Sequence, residues 1–322
     1  MSPDKDINRG KKVVALGGGH GLAATLTALR QFTSEITAIV TVADNGGSSG
    51  RLRQEFPILP PGDLRMALAA LCGDDDWGRS WAEIMQYRFT SDGPMNGHAL
   101  GNLLLAALWD RDEDVVVGLD RVAALLKVVG RVLPMSAEPL DIEATFENDG
   151  AMVEAIGQVA VATTPGRLVE LRLTPENPTA RPEVLDAIAD ADLITMGPGS
   201  WFSSVLPHLL VPKLRDAIVN SSAKKLLLLN LDSNKDQAIV GEYAGYSPKE
   251  HCEILQRYAP NLHFDFVVGD SHLNGRQALA EYLHQQESAY IEGDVRDAAH
   301  PIHHDGRKLT STFAHIVREM LV

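Results

Sequence analysis

Short apolar segments alternate with amphipathic segments along most of the chain. Five are continuous runs rich in Val, Ile and Leu, which is typical of strands covered on both faces: Val13–Leu16, Ile36–Val42, Leu193–Met196, Lys225–Leu231 and Phe264–Val268. Five others have the pattern of helices: Leu22–Arg30, Leu64–Leu71, Ala99–Trp109, Ser203–Leu210 and Thr310–Leu321. This alternation predicts an α/β fold with a mostly parallel sheet that is wound in both directions.

The pattern changes in the middle of the chain, at approximately residues 111–180. Asp120–Val129 looks helical, whereas Ile142–Phe146 and Ala151–Ala162 flank the turn Asn148-Asp149-Gly150, a signal of a β-hairpin. We therefore expect a small α+β insertion within a single domain of residues 11–322. The polar residues 1–10 are expected to form a flexible N-terminus.

The composition excludes several classes of protein. The chain has 322 residues, 45% of them hydrophobic, and a formal net charge of -14, which argues against a nucleic-acid partner. It contains no apolar run long enough for a membrane span. Two cysteines without a metal-type spacing, Cys72 and Cys252, indicate a reduced, cytoplasmic protein. A small phosphorylated ligand remains compatible with the charge, because backbone amides can hold phosphate.

The first predicted strand ends in a glycine-rich loop, formed by Gly17, Gly18, Gly19, His20 and Gly21. Glycines at a strand-to-helix turn permit close approach of a ligand, and the free amides of the helix start favour an anion. A dinucleotide fingerprint would require glycine at position 22, where Leu22 stands. A tight structural turn is the alternative to the phosphate or sugar-nucleotide loop that we favour.

A second polar loop follows the second predicted strand. Asp44 lies about where a ribose-binding acid sits in a dinucleotide fold. It is followed by a segment expected to be long and flexible: Asn45, Gly46, Gly47, Ser48, Ser49, Gly50 and Arg51. Hydroxyls, a guanidinium and accessible amides suit a polar, anionic ligand, although the same residues also occur in ordinary turns.

Two further loops have related features. Gly62 and Asp63 precede a predicted helix, with Asp63 as the expected N-cap and Arg65 in the first turn. A strand-to-helix loop also occurs at Gly197, Pro198, Gly199 and Ser200. Each loop alone is more often structural than functional. Parallel strands, however, place their carboxyl ends at one edge of the sheet, where ligands bind.

Other polar residues have both structural and functional interpretations. His98 and Asn102 would lie one turn apart on a helix, where they either cap that turn or face the pocket. Asn230 either binds a base or sugar or bonds to the next loop. The pair His303-His304 with Asp305 is half of a metal site without a partner spacing, so we expect a surface cluster. Catalytic residues are not identified, since no nucleophile elbow is present and both cysteines look like packing residues.

Taken in order, six motifs resemble the bacterial gluconeogenesis factor (YvcK-type) family, which belongs to the CofD-like superfamily of 2-phospho-L-lactate transferase. They are VVALGGGHGL, VTVADNGGSSGRLR, PPGDLRMALAAL, GHALGNLLLAAL, MGPGSWFSSVLPHLLVP and HHDGRKL. The resemblance implies a Rossmann-like three-layer α/β/α sandwich with an inserted segment, located in the cytoplasm. It also implies binding of UDP-sugars such as UDP-N-acetylglucosamine, and roles in gluconeogenic growth, cell shape and wall synthesis.

Carried over by the resemblance, the family's pocket-lining motifs contain Gly17 to Gly21, Asp44, Gly46 to Ser49, Gly62, Asp63, His98, Asn102, Gly197 to Ser200 and Asn230. The chain departs from the family pattern at three places. Asn45 replaces a second acid after Asp44, which weakens any divalent-ion site there. Residues 232–237 replace the usual Thr-x-Pro-Gly-Glu-Thr, and His303 stands where an arginine is common.

Three functions are compatible with these features. The first is a regulator that binds a nucleotide sugar and acts through protein partners in wall synthesis, with a homodimer as the commonest oligomer. The second is a transferase of phosphorus-containing groups, in which Mg²⁺ would bind a nucleotide-diphospho donor and Asp44 and Asp63 would be ligands or bases. The third is an NAD-dependent dehydrogenase, which the missing glycine at position 22 disfavours. Asn45 favours binding without catalysis over transfer.

Overall fold

A computed structural model describes residues 10–112, 114–231 and 246–319. The described residues form ten strands: β1 (Val13–Gly17), β2 (Ile36–Val40), β3 (Arg131–Pro134), β4 (Asp141–Asn148), β5 (Ala151–Ile156), β6 (Arg167–Thr174), β7 (Leu193–Met196), β8 (Lys224–Leu228), β9 (Phe266–Asp270) and β10 (Ala289–Gly293). The flexible N-terminus was predicted at residues 1–10, of which residues 1–9 lie outside the described part, and so do the divergent residues 232–237.

Seven of these strands form one parallel sheet in the order β10-β9-β8-β7-β1-β2-β3. The central strand β1 pairs with β2 on one side and with β7 on the other. The chain therefore builds outward from β1 to β3, returns to the middle, and builds outward again from β7 to β10. The point between β1 and β7 is a topological switch point, at which open α/β sheets bind ligands. The predicted parallel sheet is confirmed.

Helices cover both faces of this sheet. In the described part of the chain they are α1 (Gly19–Leu29), α2 (Gly47–Glu55), α3 (Pro61–Ala70), α4 (Asp76–Gln86), α5 (Leu100–Asp112), α6 (Val115–Leu126), α7 (Gln158–Thr163), α8 (Pro182–Ala189), α9 (Pro207–Leu210), α10 (Pro212–Asn220), α11 (Pro248–Tyr258), α12 (Arg276–Gln285) and α13 (Gly306–Glu319). A π-helical turn, Trp201–Val205, precedes α9. The α/β class predicted from the sequence is therefore confirmed.

A second, antiparallel sheet has the order β5-β4-β6. The predicted hairpin is present: Asn148 pairs with Ala151 across the turn, and Asp149 and Gly150 have positive φ angles of 51° and 82°. The strands of this antiparallel sheet lie between Asp141 and Thr174, so the sheet includes less of the chain than the insertion expected at residues 111–180. Strand β3 pairs with β2 and so belongs to the main sheet. Strand β3 is only four residues long, begins with Arg131 and ends in Pro134, so its apolar run is too short for the pattern to identify.

The expected long flexible segment at residues 45–51 is also different in the structure. Helix α2 begins at Gly47, and Ser48 and Ser49 are buried. Both hydroxyl groups bond outside the helix, to His98 and to the backbone of Gly62. Tertiary contacts thus stabilise a helix that residues of low helix propensity would not form alone.

Both cysteines pack in the interior, as expected. Burial raises the pKa of the Cys72 thiol to about 11 and that of the Cys252 thiol to about 12, so both thiols are protonated at neutral pH. Among the described residues, no helix combines the length and the apolar character that crossing a bilayer requires.

The contact between α1 and the loop after β7 yields a stability prediction. A Cβ atom at Gly21 would lie 2.2 Å from the carbonyl oxygen of Pro198, so Gly21→Ala must displace backbone. We expect a loss of about 1–3 kcal/mol in the free energy of unfolding, measured in urea. The control is Gly93→Ala, because a Cβ at Gly93 meets nothing within 4 Å. Equal stability of the two variants would contradict this close contact.

Candidate functional site

A cleft of about 410 Å³ opens at the carboxyl ends of β1 and β7. Nine residues expected from the sequence line it: Gly18, Gly19, His20, Gly21, Asp63, Pro198, Gly199, Ser200 and Asn230. Seven more that line it were not among the expected site residues: Gln158, Ser203, Ser204, Leu231, Ile302, His303 and His304. These additions come from helix α7 between β5 and β6, the π-helical turn, the segment after β8 and the segment before α13.

The first wall of the cleft is the beginning of α1. Gly18 is the N-cap residue, and the first bond within the helix runs from Leu22 N–H to Gly18 O at 3.3 Å. The backbone N–H groups of His20 and Gly21 come before that bond, in the first turn of the helix. N–H groups in a first turn usually have no acceptor within the helix, and they attract anions. Gly19 has a φ of 58°, which a residue with a side chain adopts only with strain.

The second wall is the loop of Gly197 to Ser200 after β7. The side chain of Asn230 holds this loop by two bonds to Gly199, accepting from its N–H at 2.9 Å and donating to its carbonyl at 2.7 Å. Asn230 therefore uses one acceptor and one donor of its side-chain amide on the β7 loop. Ser200 caps the π-helical turn by accepting from Ser203 N–H at 3.1 Å.

Asp63 lies beneath the glycine loop. It is in the first turn of α3, whose N-cap is Pro60, so the expectation that Asp63 caps this helix was wrong. Its carboxylate instead accepts a hydrogen bond from the backbone N–H of Gly19. Burial, with a further contribution from the charge of Asp44, raises the pKa of Asp63 to about 7.

Asp44 lies behind Asp63 and links α2 to α3. It accepts from Gly46 N–H at 2.8 Å and hydrogen-bonds to the hydroxyl of Ser49, which in turn accepts from Gly62 N–H at 3.0 Å. Burial raises the pKa of Asp44 above its usual value. The described residues contain no group of three or more metal-ligating side chains, so Asp44 would need phosphate oxygens or water to complete an ion site.

Asn45, Gly46, Gly47 and Arg51 lie outside the described lining of the cleft. Gly46 is the N-cap of α2, and Gly47 has a φ of 48°. The side-chain amide of Asn45 lies against Gly157, between β5 and α7. Arg51 donates to the carbonyls of Pro94 and Asn96, at 3.0 Å and 2.8 Å. These residues shape the neighbouring segments.

Ser48 connects α2 to the beginning of α5. Its hydroxyl lies 3.0 Å from His98 Nδ1, and it accepts from the side-chain amide of Asn102 at 3.0 Å. Helix α5 begins at Leu100, after His98, so His98 and Asn102 are not on the same helix as expected. They meet at Ser48 instead. Neither residue lines the cleft, and both hydrogen-bond to a serine that the sequence pattern had assigned to a flexible loop.

Arg65 carries a buried charge close to the cleft. It is 2% exposed, donates from Nε to Asn102 Oδ1 at 2.8 Å and from Nη1 to Met85 O at 3.5 Å. Burial lowers its pKa to about 10, with a further contribution from Arg88. No carboxylate lies within ion-pair distance in the described part of the chain. The guanidinium remains protonated at neutral pH and has only neutral hydrogen-bond partners there.

Two histidines close one side of the cleft. His20 and His303 stack with ring centroids 5.1 Å apart and an angle of 8°. Burial, and then the charges of His303, Arg65 and Arg88, lower the pKa of His20. His304 is held by Leu229 O at 3.1 Å from its Nε2, and burial lowers its pKa to about 4. The expected surface cluster at residues 303–305 was therefore wrong for His303 and His304.

A buried ion pair supports the segment that carries these histidines. Asp270, at the end of β9, is 0% exposed and accepts from Arg296 Nη2 at 3.3 Å. Asp270 also accepts from the backbone of His272 and Val295, while Arg296 and His304 form an isolated antiparallel bridge. In the sequence, the one sign of this ion pair was an acidic residue, Asp270, at the end of an apolar strand.

The comparisons with known proteins agree with this architecture. Residues 13–322 match the family model described as "2-phospho-L-lactate transferase CofD", and the chain belongs to that family. The "Putative gluconeogenesis factor" of Mycobacterium tuberculosis (strain CDC 1551 / Oshkosh) is 46% identical over 303 residues, covering 92% of this chain and 87% of the relative. More narrowly, then, the chain belongs to the gluconeogenesis factor family.

Two other relatives support the same placement. The "Gluconeogenesis factor" of Listeria monocytogenes serovar 1/2a is 34% identical over 285 residues, covering 88% of this chain and 84% of the relative. The crystal structure of a UPF0052 family member from Bacillus halodurans has a TM-score of 0.82 and 32% identity, covering 97% of this chain and 99% of that one. The resemblance stated from the six motifs is confirmed.

The raised pKa of the Asp63 carboxyl predicts a specific dependence of stability on pH. Because its pKa rises from 3.8 to about 7 on folding, the folded state binds more protons, and stability falls as pH rises through that range. We expect Asp63→Asn to gain stability relative to the wild type between pH 4 and pH 8. The upper limit is about 4 kcal/mol, at about 1.4 kcal/mol per pKa unit.

Urea unfolding at both pH values measures this effect, with Asp92→Asn in the exposed loop before α5 as the control. The measured quantity is the difference in free energy of unfolding between Asp63→Asn and the wild type. If this difference is the same at pH 4 and pH 8, the carboxyl of Asp63 has the same pKa in the folded and unfolded states, and the prediction is wrong.

Proposed function

We propose that this protein is a cytoplasmic regulator that binds a nucleoside diphosphate sugar in the cleft between β1 and β7. UDP-N-acetylglucosamine is the first candidate. Through protein partners in wall synthesis, the complex would adjust cell shape during growth on gluconeogenic carbon sources. Membership of the gluconeogenesis factor family supports the metabolic setting, while the ligand is inferred from the chemistry of the cleft and from the motif resemblance.

The observation that carries the proposal is the concentration of anion-binding groups at the switch point of a chain with a net charge of -14. The first-turn amides of α1, the His20–His303 stack and the buried guanidinium of Arg65 lie around one region. Among the described residues Arg65 has only neutral hydrogen-bond partners, and Asp63 acts on it through charge without an ion pair. A phosphate group near this guanidinium would add negative charge where burial disfavours a lone positive charge. A diphosphate provides two such groups and fits this chemistry.

The described cleft also favours binding over nucleophilic catalysis. The hydroxyl of Ser203 donates to Ser200 Oγ at 2.6 Å, and His304 is occupied by the carbonyl of Leu229. The buried cysteines are protonated and do not line the cleft. None of these groups forms the paired nucleophile and base that covalent catalysis requires.

We expect UDP-N-acetylglucosamine to bind with an affinity that increases as pH falls from 8 to 6. Burial lowers the pKa of His20, so the ring is neutral at pH 8, and an adjacent phosphate favours its protonated form. The increase is at most about tenfold per pH unit for the uptake of one proton. Titration calorimetry in buffers of different ionisation enthalpy would measure both the affinity and the proton uptake.

His303→Arg is the informative variant, because an arginine stays charged throughout this range. It should bind more tightly than the wild type at pH 8 and show a weaker pH dependence. His284→Arg, on the exposed end of α12, adds the same charge away from the cleft and should behave as the wild type. Absence of binding heat and of a thermal shift at millimolar ligand would reject the proposed function.

A transferase is the second candidate, and one observation favours it. The carboxylates of Asp44 and Asp63 are neighbours, and the charge of Asp44 contributes to the raised pKa of Asp63 beneath the glycine loop. Mg²⁺ is usually bound by one or two carboxylates together with substrate phosphates, so these two residues would hold it. The ion would stabilise charge on transferring phosphate. Product from a nucleotide-activated donor with Mg²⁺ and a deazaflavin acceptor would establish this candidate.

Asn45 provides a test of how Mg²⁺ would be held. Its side chain lies against Gly157, so a carboxylate at this position would face β5 and α7. We therefore expect Asn45→Asp to change Mg²⁺ affinity by less than twofold in calorimetry with UDP present. Asp44→Asn is the comparison that should weaken any Mg²⁺ binding. A clear gain for Asn45→Asp would show that residue 45 reaches the ion.

A further inference from the structure

The antiparallel sheet β5-β4-β6 has two edge strands, and their environments differ. Side chains from α11 and from the residues just before it satisfy the edge of β6. The N–H of Leu168 donates to the Tyr246 hydroxyl at 2.5 Å, and the Leu168 carbonyl accepts from Arg257 Nη1 at 3.3 Å. The N–H of Leu171 donates to the Tyr258 hydroxyl at 2.7 Å. Another strand could not bond to β6 without displacing these side chains.

The edge of β5 has no such cover in the part of the chain that the structure describes. Asn148 and Ala151 flank a two-residue hairpin loop and form a hydrogen-bonded pair, and such pairs alternate with non-bonded ones along the ladder. The backbone groups of Met152, Glu154 and Ile156 therefore point away from β4. Within the described residues, no hydrogen bond reaches the N–H or C=O of these three.

The exposed side chains of β5 are mainly apolar. Among the large hydrophobic residues of the described part, Ile156 and Met152 are the most exposed, at 69% and 66%. The strand contains neither proline nor lysine, which commonly keep an edge strand from pairing, and its one charged residue is Glu154. An edge with unpaired backbone groups and apolar side chains favours the addition of another strand.

A second copy of β5 fits this edge in one antiparallel register. Opposite residues of an antiparallel pair lie on the same face, so a two-fold axis normal to the sheet passes through a residue. Axes at Val153 and at Glu154 pair most of the strand. The axis at Glu154 would place two carboxylates directly opposite each other, which is unfavourable. The axis at Val153 instead places Met152 opposite Glu154 of the partner subunit, where the two backbones exchange N–H···O bonds.

We propose that β5 pairs with β5 of a second copy of this chain about a two-fold axis at Val153, so that the two antiparallel sheets become one continuous sheet. The same strand supplies what the edge needs, namely unpaired backbone groups at matching positions and apolar side chains beside Glu154. The inference goes beyond the proposed function and requires no ligand. Since only Gly157 separates β5 from Gln158, the interface lies beside the cleft of each subunit.

The expected dimer is weak and depends on salt. One edge strand of six residues buries less surface than the roughly 1,200–2,000 Å² of a stable interface. The net charge of -14 on each subunit opposes association, and salt screens this repulsion. We therefore expect a reversible dimer whose dissociation constant, measured by sedimentation velocity, falls as the salt concentration rises.

Substitutions of opposite charge at residue 152 test the partner and the register together. Met152→Lys places an ammonium group opposite Glu154 of the partner subunit, and Met152→Glu places a carboxylate there, each at two symmetric positions. We expect the dissociation constant of the dimer to fall about two- to thirtyfold in Met152→Lys and to rise by a similar factor in Met152→Glu. The controls are Val169→Lys and Val169→Glu, which change the net charge equally on exposed β6 and should differ by less than about twofold.

Glu154→Pro tests the backbone bonds of the interface. It removes the N–H that donates to Met152 of the partner subunit, and it removes no bond to β4, because the backbone of residue 154 points outward. We expect this variant to be monomeric, with a thermal midpoint that shows it is folded. Glu154→Gln keeps the N–H and removes a negative charge, so it should dimerise at least as tightly as the wild type. If Glu154→Pro does not fold, the two variants of Met152 decide the question.

Three results would overturn the proposal. A wild type that stays monomeric in high salt at its highest soluble concentration would exclude the interface. Equal dissociation constants for Met152→Lys and Met152→Glu would show that residue 152 does not face Glu154 of the partner subunit. A dimer that persists in folded Glu154→Pro would place the contact elsewhere on the chain. Absence of nucleotide-sugar binding, in contrast, would reject the proposed function and leave the dimer as expected.

Discussion

The close approach of α1 to the loop after β7 is the contact on which the site depends. Gly21 meets the backbone of Pro198 where no side chain fits, and Asn230 holds Gly199 from the other side by two hydrogen bonds. These contacts bring the two glycine loops together at the switch point of the sheet. The glycines of positions 21 and 197 are thereby explained by chain packing, and the left-handed Gly19 by the turn into α1.

Electrostatics separates the carboxyl edge of the sheet into regions with different chemistry. The beginning of α1 and the His20–His303 stack border the cleft, Asp63 is part of its lining, and Arg65 and Asp44 lie nearby. A second cavity, between the segment after β8 and the beginning of α11, has no Lys, Arg, Asp or Glu in its described lining. Because burial makes a charge costly, it lowers the pKa of Arg65 and raises that of Asp63, and the two residues lie at or next to the cleft.

Most of the sheet could be predicted from the sequence, because strands buried on both faces must be continuously apolar. Strands β3 and β10 were missed: β3 has four residues and ends in proline, and β10 is a half-exposed edge strand. Helix α2 was missed for another reason. Its stability comes from bonds of Ser48 and Ser49 to residues far along the chain, so local propensity was misleading.

The sequence by itself determined the parallel α/β fold, the family, and nine residues of the cleft, since these follow from local patterns and from loops at strand ends. Only the tertiary structure decided what the polar side chains contact. Asn230 bonds Gly199, His98 and Asn102 meet at Ser48, and His303 reaches His20 from a distant segment. Such pairings depend on how elements cross in space, and a hydrogen bond or a ring stack between distant residues leaves no spacing in the chain by which to predict it.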